Sequence, residues 1–229
     1  MSGFDTIVIG AGSAGSVTAR RLIDAGQRVL VLEAGGPDDN PAIAEPRRMA
    51  ELWHSPDDWD YYTVPQPHAA GRRLHLPRGK VLGGSHALNA MIWVRGAAGD
   101  YDGWAMAGND GWAWRDVLPI FREIESCDGG DSALRGRDGP LEVVGDYPLH
   151  PIQQSIIDAA TEIGLDHNPD YNGSRQDGIG VEQVTMRSGR RLTTYTAYLE
   201  PVLACDRLAV HTGCWVHRLI MSGNRVTGV

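Results

Sequence analysis

Three glycines and one acid near the start of the chain have the types and spacing of a nucleotide site. Gly10, Gly12 and Gly15 form a G-x-G-x-x-G motif, which allows a tight turn, a close approach of pyrophosphate to the backbone and close packing of a helix. Glu33 can accept hydrogen bonds from both hydroxyls of a ribose, and its charge would repel a 2′-phosphate, which disfavours NADP. The motif therefore predicts a dinucleotide site, the plain alternative being a glycine-rich turn that binds nothing.

The sequence on either side of the motif predicts the strands and the helix that position these residues. Residues 6–9 form a continuous apolar run that predicts a buried parallel strand, and residues 29–32 predict a second one ending at Glu33. Between them, Gly26 stands where a helix C-cap is expected, after apolar residues that recur at helical spacing: Val17, Ala19, Leu22 and Ile23. The start of that predicted helix would present free N–H groups to a phosphate.

A second glycine-rich segment follows at residues 77–96. Gly79, Gly83 and Gly84 permit close backbone approach, and Ser85 can bond a phosphate. The apolar run 87–94 predicts a buried helix or strand behind this loop. Two glycine-rich turns in one chain indicate a ligand with an extended diphosphate, held from two sides.

Composition excludes several classes of function. The chain has 229 residues and a net charge of −8 without any basic run, which argues against a nucleic-acid partner. No apolar run approaches the roughly 20 residues of a membrane span, and the start shows no pattern of a secretory signal. Three cysteines without a C-x-x-C spacing predict reduced thiols in a cytoplasmic protein.

The long irregular region 43–76 is rich in Pro, Trp, Tyr and His, which is typical of a lid or binding loop. Its aromatic residues Trp53, Trp59, Tyr61 and Tyr62 could cover a cofactor or anchor the loop to the core, anchoring being the more frequent outcome for such residues. Further along, the pattern predicts strands at 141–144, 179–186 and 215–220, an amphipathic helix at 152–163 and a short helix at 194–199.

The two glycine-rich segments together resemble the glucose–methanol–choline (GMC) oxidoreductase family, whose members are FAD-dependent alcohol oxidases and dehydrogenases. The resemblance rests on the first motif with Glu33 and on the block GKVLGGS at residues 79–85 followed by Asn89. It continues through GDYDGW at 99–104, GNDGW at 108–112, DYNG at 170–173, GRR at 189–191 and AYL at 197–199. Within the family, the sequence is most similar to the N-terminal portion of choline-dehydrogenase-like bacterial members.

The resemblance implies a set of FAD-binding residues. Those implied around the pyrophosphate and the adenosine ribose are Gly10, Gly12, Ser13, Ala14, Gly15 and Glu33. Those implied to close over the diphosphate and the ribityl chain are Gly83, Gly84 and Ser85. Those implied along the flavin ring are Asn89, Ala90 and Met91. The remaining members of the set are Ala34, Arg78, Gly79, Leu82 and, at the adenine edge, Val216, which is equally well an ordinary buried strand residue.

The expected fold is α/β: a Rossmann-like FAD/NAD(P)-binding domain with a parallel sheet, plus the first part of an α+β substrate domain. The resemblance assigns the FAD-binding domain to residues 1–42, 77–140 and 201–229, and a partial substrate-binding domain to residues 141–200. Residues 43–76 form the lid or irregular region between the first two segments.

Histidines receive no catalytic role in this interpretation. Family members are longer, with a catalytic histidine near their C-terminus, so we expect this chain to be an N-terminal portion without that base. Some members attach FAD covalently through a histidine in the second glycine-rich loop, and His86 is either such a residue or, more in keeping with its position, a histidine packed in the loop. No two of the eight histidines are spaced as metal ligands, so we predict no metal site.

The resemblance implies oxidation of an alcohol to an aldehyde or ketone, with hydride passing to flavin N5. The implied partners are the small-molecule alcohol and either the C-terminal half of the same protein or a partner chain. The alternatives are an FAD-binding scaffold without activity of its own, a hydroxynitrile lyase that keeps FAD for structure, and an NAD-dependent dehydrogenase. The last has no need of the second glycine-rich loop.

Overall fold

The computed structural model describes residues 3–229. Its strands are β1 (Thr6–Ile9), β2 (Val29–Leu32), β3 (Tyr61–Tyr62), β4 (His75–Leu76), β5 (Glu125–Ser126), β6 (Leu141–Val144), β7 (Val184–Arg187), β8 (Arg190–Arg191), β9 (Leu208–His211), β10 (Ile220–Ser222) and β11 (Arg225–Gly228). Its α-helices are α1 (Ser13–Asp24), α2 (Pro41–Ala44), α3 (Ala98–Met106), α4 (Trp114–Ile124) and α5 (Pro151–Glu162). Short 3-10 helices lie at Pro46–Leu52, Pro67–Ala69, Gly84–Ala87 and Glu200–Val202, and a π-helical turn lies at Tyr195–Leu199. None of the helices among the described residues is long and apolar enough to cross a membrane.

The chain forms two compact units. The first consists of the residues up to Ala90 together with Gly189–Val229, and the second is Met91–Ser188. The second unit therefore begins inside the segment 77–140 that the sequence assigns to FAD binding. The assignment of segments to cofactor and substrate domains stays a prediction.

The first unit is built on a parallel sheet with the strand order β1-β2-β9. Thr6 pairs with Val29, and Val29 pairs on its other side with Leu208. Helix α1 connects β1 to β2, and its buried residues Ala19 and Ile23 join the sheet residues in one apolar core. The predicted strand–helix–strand unit is thus confirmed, but the burial expected for the first strand is wrong: half-buried residues alternate with exposed ones along β1, and Ile7 and Ile9 are 36% and 53% exposed. Strand β2, which has a paired strand on each side, is more deeply buried.

The region 43–76 has more regular structure than the sequence suggested. Helix α2 is capped by Asn40, whose side chain accepts the N–H of Ala42 at 3.0 Å, and β3 pairs with β4 as an antiparallel hairpin. The turn before β3 is organised by the buried carboxylate of Asp58, which accepts the backbone N–H groups of His54, Asp60 and Arg78 at 2.9–3.2 Å. A carboxylate that satisfies three backbone donors fixes the path of an otherwise irregular loop.

The second unit contains helices α3–α5 and a sheet in which β5 runs parallel to β6 and β6 runs antiparallel to β7. At its centre Glu125 is fully buried and accepts hydrogen bonds from Arg95, Arg135 and the indole N–H of Trp93. The predicted strand at 141–144 and the predicted helix at 152–163 are confirmed by β6 and α5.

Four predicted elements differ from the structure. The strand expected at 179–186 is β7, Val184–Arg187, because Ile179 pairs first with His167 in an isolated bridge. The run 87–94 is neither a helix nor a strand: the 3-10 turn ends at Ala87, and Met91 has a left-handed backbone with φ of 62°. The strand expected at 215–220 is absent up to residue 219, since an alternating pattern gives extended backbone but a strand also needs a hydrogen-bonded neighbour. The expected short helix at 194–199 is the π-helical turn Tyr195–Leu199.

Candidate functional site

A cavity of about 700 Å³ opens in the first unit where β1 ends and α1 begins. It is lined by Ile9, Gly10, Gly12, Ser13, Ala14, Gly15, Glu33, Trp59, Tyr61, Arg78, Gly79, Gly84 and Ser85. Residues from both glycine-rich segments therefore meet at one cavity, at the carboxyl ends of parallel strands, where α/β sheets commonly bind ligands.

The two glycine turns touch each other. The N–H of Gly83 donates to the carbonyl of Ala11 at 3.0 Å, so the second turn is hydrogen-bonded directly onto the first. A Cβ on Gly84 would lie 2.7 Å from the Cα of Gly12, and the φ of Gly84 is 55°. Glycine is thus required here for two reasons, because a side chain would meet backbone and an L-residue is strained in this conformation.

The first turn of α1 presents backbone donors to the cavity. Gly12 is the N-cap, and its carbonyl already accepts the N–H of Ser16 at 2.9 Å. The following residues, Ser13 and Ala14, are exposed and line the cavity, and the first helical turn carries no acidic residue. Backbone N–H groups at a helix start, with the positive end of the helix dipole, favour an anion such as phosphate.

Glu33 is held firmly at the end of β2. Its side chain is buried, one carboxylate oxygen accepts the N–H of Ala11 at 2.8 Å, and the other accepts the N–H of Gly35 at 2.8 Å. Each oxygen of a carboxylate has two lone pairs, so both keep acceptor capacity after these bonds. The arrangement can accept hydroxyl donors from a ribose in the cavity.

One wall of the cavity is aromatic. The rings of Trp59 and Tyr61 stack with centroids 5.6 Å apart, and the ammonium of Lys80 lies 5.0 Å from the Trp59 ring. Trp215 packs edge-on against Trp59 at 4.8 Å. The sequence allowed two roles for Trp59 and Tyr61, covering a cofactor or anchoring a loop. In the structure both residues line the cavity. Trp215 was missed, because only its contact with Trp59 links it to this wall.

The other predicted site residues lie away from the described cavity lining. Leu82 and Gly83 are buried in the second glycine turn, while Ala34, Asn89 and Ala90 belong to the same unit without lining the cavity. Met91 belongs to the second unit, where its carbonyl accepts the N–H of Thr185 at 2.9 Å. Val216 is half-buried, in a segment without a strand. The roles implied for these residues stay predictions.

Arg191 supports the second glycine-rich segment from behind. It is buried, its Nε donates to the carbonyl of Ile43 at 2.9 Å, and one terminal nitrogen donates to the carbonyls of Asn89 at 2.6 Å and His86 at 3.2 Å. Burial lowers the pKa of Arg191 to about 10, so it stays charged at neutral pH. The resemblance included Arg191 but gave it no role. Its supporting role follows from hydrogen bonds to three carbonyls that are distant in sequence, which the sequence alone does not reveal.

His86 is packed inside the loop rather than presented to the cavity. It is 8% exposed, and its Nδ1 accepts the N–H of Thr194 at 3.1 Å. Burial, with the nearby charge of Arg191, lowers the pKa of His86 to about 4, so the ring is neutral at pH 7. These contacts favour the packed histidine over a covalent link to the cofactor, and we expect denatured holoprotein to release its flavin intact.

His86 also gives the stability of the chain a predictable pH dependence. Its pKa falls from 6.5 to about 4 on folding, so between these values the folded chain binds fewer protons than the unfolded chain. The free energy of unfolding should therefore fall by about 1.4 kcal/mol per unit as the pH drops from 6.5 towards 4, a total of about 3 kcal/mol. Urea titrations over this range should show the decline in the wild type and a clearly shallower one in His86→Asn, whose amide oxygen can still accept the Thr194 N–H. The exposed-residue variant His68→Asn is the control, and identical pH slopes in all three proteins would contradict the prediction.

The parallel sheet with its connecting helix defines an α/β protein. The cavity at the ends of the strands, lined by both glycine turns, has the arrangement of a dinucleotide-binding domain. The model of the GMC oxidoreductase family matches residues 4–229, so the chain belongs to the GMC oxidoreductase family. This confirms the resemblance and the fold class.

Individual relatives agree with the family. The oxygen-dependent choline dehydrogenases of Rhizobium etli and Sinorhizobium fredii are 41% and 40% identical to the chain over 227 residues, which are 98% of this chain and 41% of each relative. The structure of pyridoxine 4-oxidase from Mesorbium loti superposes with a TM-score of 0.92 at 35% identity, over 98% of this chain and 45% of that one. A structure of Aspergillus oryzae formate oxidase, described in connection with modification of FAD in that enzyme, superposes with a TM-score of 0.84 at 26% identity. The match covers 96% of this chain and 40% of the formate oxidase chain. The chain thus spans about two fifths of the length of the curated relatives it matches.

Proposed function

We propose that this chain forms the FAD-binding part of an oxidoreductase that oxidises the CH–OH group of an alcohol to an aldehyde or ketone. The observation that carries the proposal is the contact of the two glycine turns, Gly12 against Gly84, over one cavity. Membership of the GMC oxidoreductase family and the similarity to formate oxidase, which contains FAD, support the choice of cofactor.

The residues of the cavity fit a dinucleotide. The absence of side chains at Gly12 and Gly84 lets the two turns pack against each other, so that backbone of both turns can face a pyrophosphate next to the N–H groups of the first turn of α1. The hydroxyl of Ser85 accepts the N–H of Gly79 at 3.1 Å, which leaves its own O–H to donate to a phosphate oxygen. Glu33 takes the adenosine ribose, and its negative charge excludes a 2′-phosphate. The bound flavin supplies the acceptor for the hydride of the alcohol carbon.

The substrate and the proton acceptor complete the proposal. The similarity to proteins named choline dehydrogenase makes choline the first alcohol to test. Because the chain spans 41% of those relatives, we place the proton acceptor on a partner segment, either the C-terminal half of the same protein or a partner chain. The three free thiols, Cys127, Cys205 and Cys214, support a cytoplasmic location as part of the same proposal.

Turnover of choline and other alcohols with a dye acceptor tests this function. The measurement compares the FAD-loaded chain alone with a longer protein that contains it. We expect no turnover by the chain alone and turnover by the longer protein. Flavin binding without turnover by either would favour the scaffold alternative, and release of an aldehyde from a hydroxynitrile without flavin bleaching would favour the lyase.

A further inference from the structure

Two histidines and an aspartate that are distant in sequence converge beside the cavity wall. The ligand atoms of His54, Asp60 and His75 all lie within 4.8 Å of one another. Nδ1 of His54 is 2.6 Å from the Asp60 carboxylate, and Nε2 of His75 is 3.3 Å from the same oxygen. The spacing of the histidines along the chain did not indicate this cluster, because the hairpin of β3 and β4 brings it together.

The backbone around the cluster holds the three side chains in place. His75 lies on β4 and pairs with Tyr62 on β3, the strand that begins directly after Asp60. The buried carboxylate of Asp58 accepts the N–H groups of both His54 and Asp60, so one anchor sets the direction of two of the three groups. Its Oδ2 also lies 3.1 Å from Nε2 of His75.

Two of the three residues have an unusual backbone conformation. The φ of His54 is 60° and that of Asp60 is 52°, which is the left-handed region that residues with a side chain seldom adopt. Such conformations persist where surrounding contacts hold them, and they concentrate at functional sites. Here Asp58 accepts the backbone N–H groups of both His54 and Asp60, and the side chains of these two residues contact each other.

The charges of the cluster suit a cation with nitrogen and oxygen ligands. The two imidazole rings stack with centroids 3.9 Å apart, and a ring nitrogen of each faces a carboxylate. A bound metal would replace the protons on these nitrogens and take their lone pairs, and Asp60 would supply a negative charge. Imidazole nitrogens with a carboxylate select zinc and similar transition metals, whereas calcium and magnesium take oxygen ligands.

We propose that His54, Asp60 and His75 form a binding site for a divalent transition metal, Zn²⁺ being the reference ion. Bonds of about 2.0–2.1 Å in a tetrahedral arrangement place ligand atoms about 3.3 Å apart, as His75 and Asp60 already are. The closer pair, His54 and Asp60, must open by about 0.7 Å to reach that spacing. Both are about half exposed, so they have room to rotate. Water fills the fourth position, and His75 exchanges its hydrogen bond to Asp58 for the metal.

The metal would cross-link the loop that carries Trp59 to the strand that precedes Arg78. Both of these residues line the cavity, so the site stiffens one wall of it without contacting the glycine turns. Metal binding at this site requires no particular ligand in the cavity.

Calorimetric titration of the purified, EDTA-treated chain with ZnCl₂ tests the site, with the thiols alkylated so that Cys127, Cys205 and Cys214 take no part. We expect one Zn²⁺ per chain, and at least a tenfold loss of affinity (about 1.4 kcal/mol) in both His75→Gln and Asp60→Asn. His68→Gln, an exposed histidine of the same region outside the cluster, should bind as the wild type does, and near-UV circular dichroism verifies that each variant is folded. No saturable binding, or equal affinity in His75→Gln and His68→Gln, would overturn the proposal.

Discussion

Replacing Gly84 by alanine is expected to abolish FAD binding at micromolar concentrations. The new methyl group would lie 2.7 Å from the Cα of Gly12, a backbone atom that cannot turn aside as the end of a side chain can. The left-handed conformation at Gly84 adds about 1–2 kcal/mol of strain for a residue with a Cβ. Separation of the two turns removes the shape that grips the pyrophosphate, so we expect the affinity for FAD to fall at least about 100-fold, or 2.7 kcal/mol.

The control for this variant is Gly36→Ala. Gly36 lies in the same unit, a Cβ there has no neighbour within 4 Å, and its φ is not positive. Quenching of flavin fluorescence on titration with each protein gives the affinities, and circular dichroism shows whether the fold survives. Equal affinities of Gly84→Ala and Gly36→Ala would mean that the contact between the turns is not what binds the ligand.

The largest effect on stability is expected from Glu125→Gln in the second unit. Burial would raise the pKa of Glu125, but the hydrogen bond and charge of Arg135, together with the charge of Arg95, hold it below its ordinary value, so the group is ionised at neutral pH. The two guanidinium groups lie 2.7 Å from the same carboxylate oxygen, and all three side chains are essentially inaccessible. Removal of the negative charge leaves two buried cations with only Asp170 beside Arg135, at a cost of roughly 3–5 kcal/mol.

Glu142→Gln provides the matched control. Glu142 also pairs with an arginine, Arg187 at 3.1 Å, but both side chains are about half exposed. Exposed pairs contribute at most about 1 kcal/mol, so this variant should unfold near the wild-type midpoint. Urea denaturation followed by tryptophan fluorescence measures the unfolding midpoints. The signal contains a contribution from Trp93, whose indole N–H donates to Glu125. A midpoint of Glu125→Gln close to that of Glu142→Gln would refute the assigned role of the buried charges.

The parts of the fold that could be predicted from the sequence are those whose signal is local. Strands β1 and β2 are continuous apolar runs, and α1 follows a glycine motif that allows few alternative backbone paths. Each of these elements could therefore be predicted from its own residues. The meeting of the two glycine-rich segments was also predictable, because Gly84 and Gly12 carry the same requirement for close backbone approach. Several implied positions, Met91 and Val216 among them, rest on the resemblance alone.

What the sequence could not provide is the pairing of polar groups over long separations. Glu125 has no local signature that distinguishes it from an exposed acid, yet it joins Arg95, 30 residues away. Likewise the cluster of His54, Asp60 and His75 depends on a two-residue hairpin that periodicity does not detect. The expected strand at 215–220 failed for the same reason: Trp215 and His217 do stack on one side, but the partner that makes a strand is not encoded locally.

The central claim is that one cavity with two glycine turns holds FAD, and the most direct test is a spectrum of the purified chain after incubation with an equimolar mixture of FAD and NAD. We expect a yellow protein with bands at roughly 370 and 450 nm, one flavin per chain and no retained NAD. A colourless protein that retains NAD and rejects FAD would contradict it.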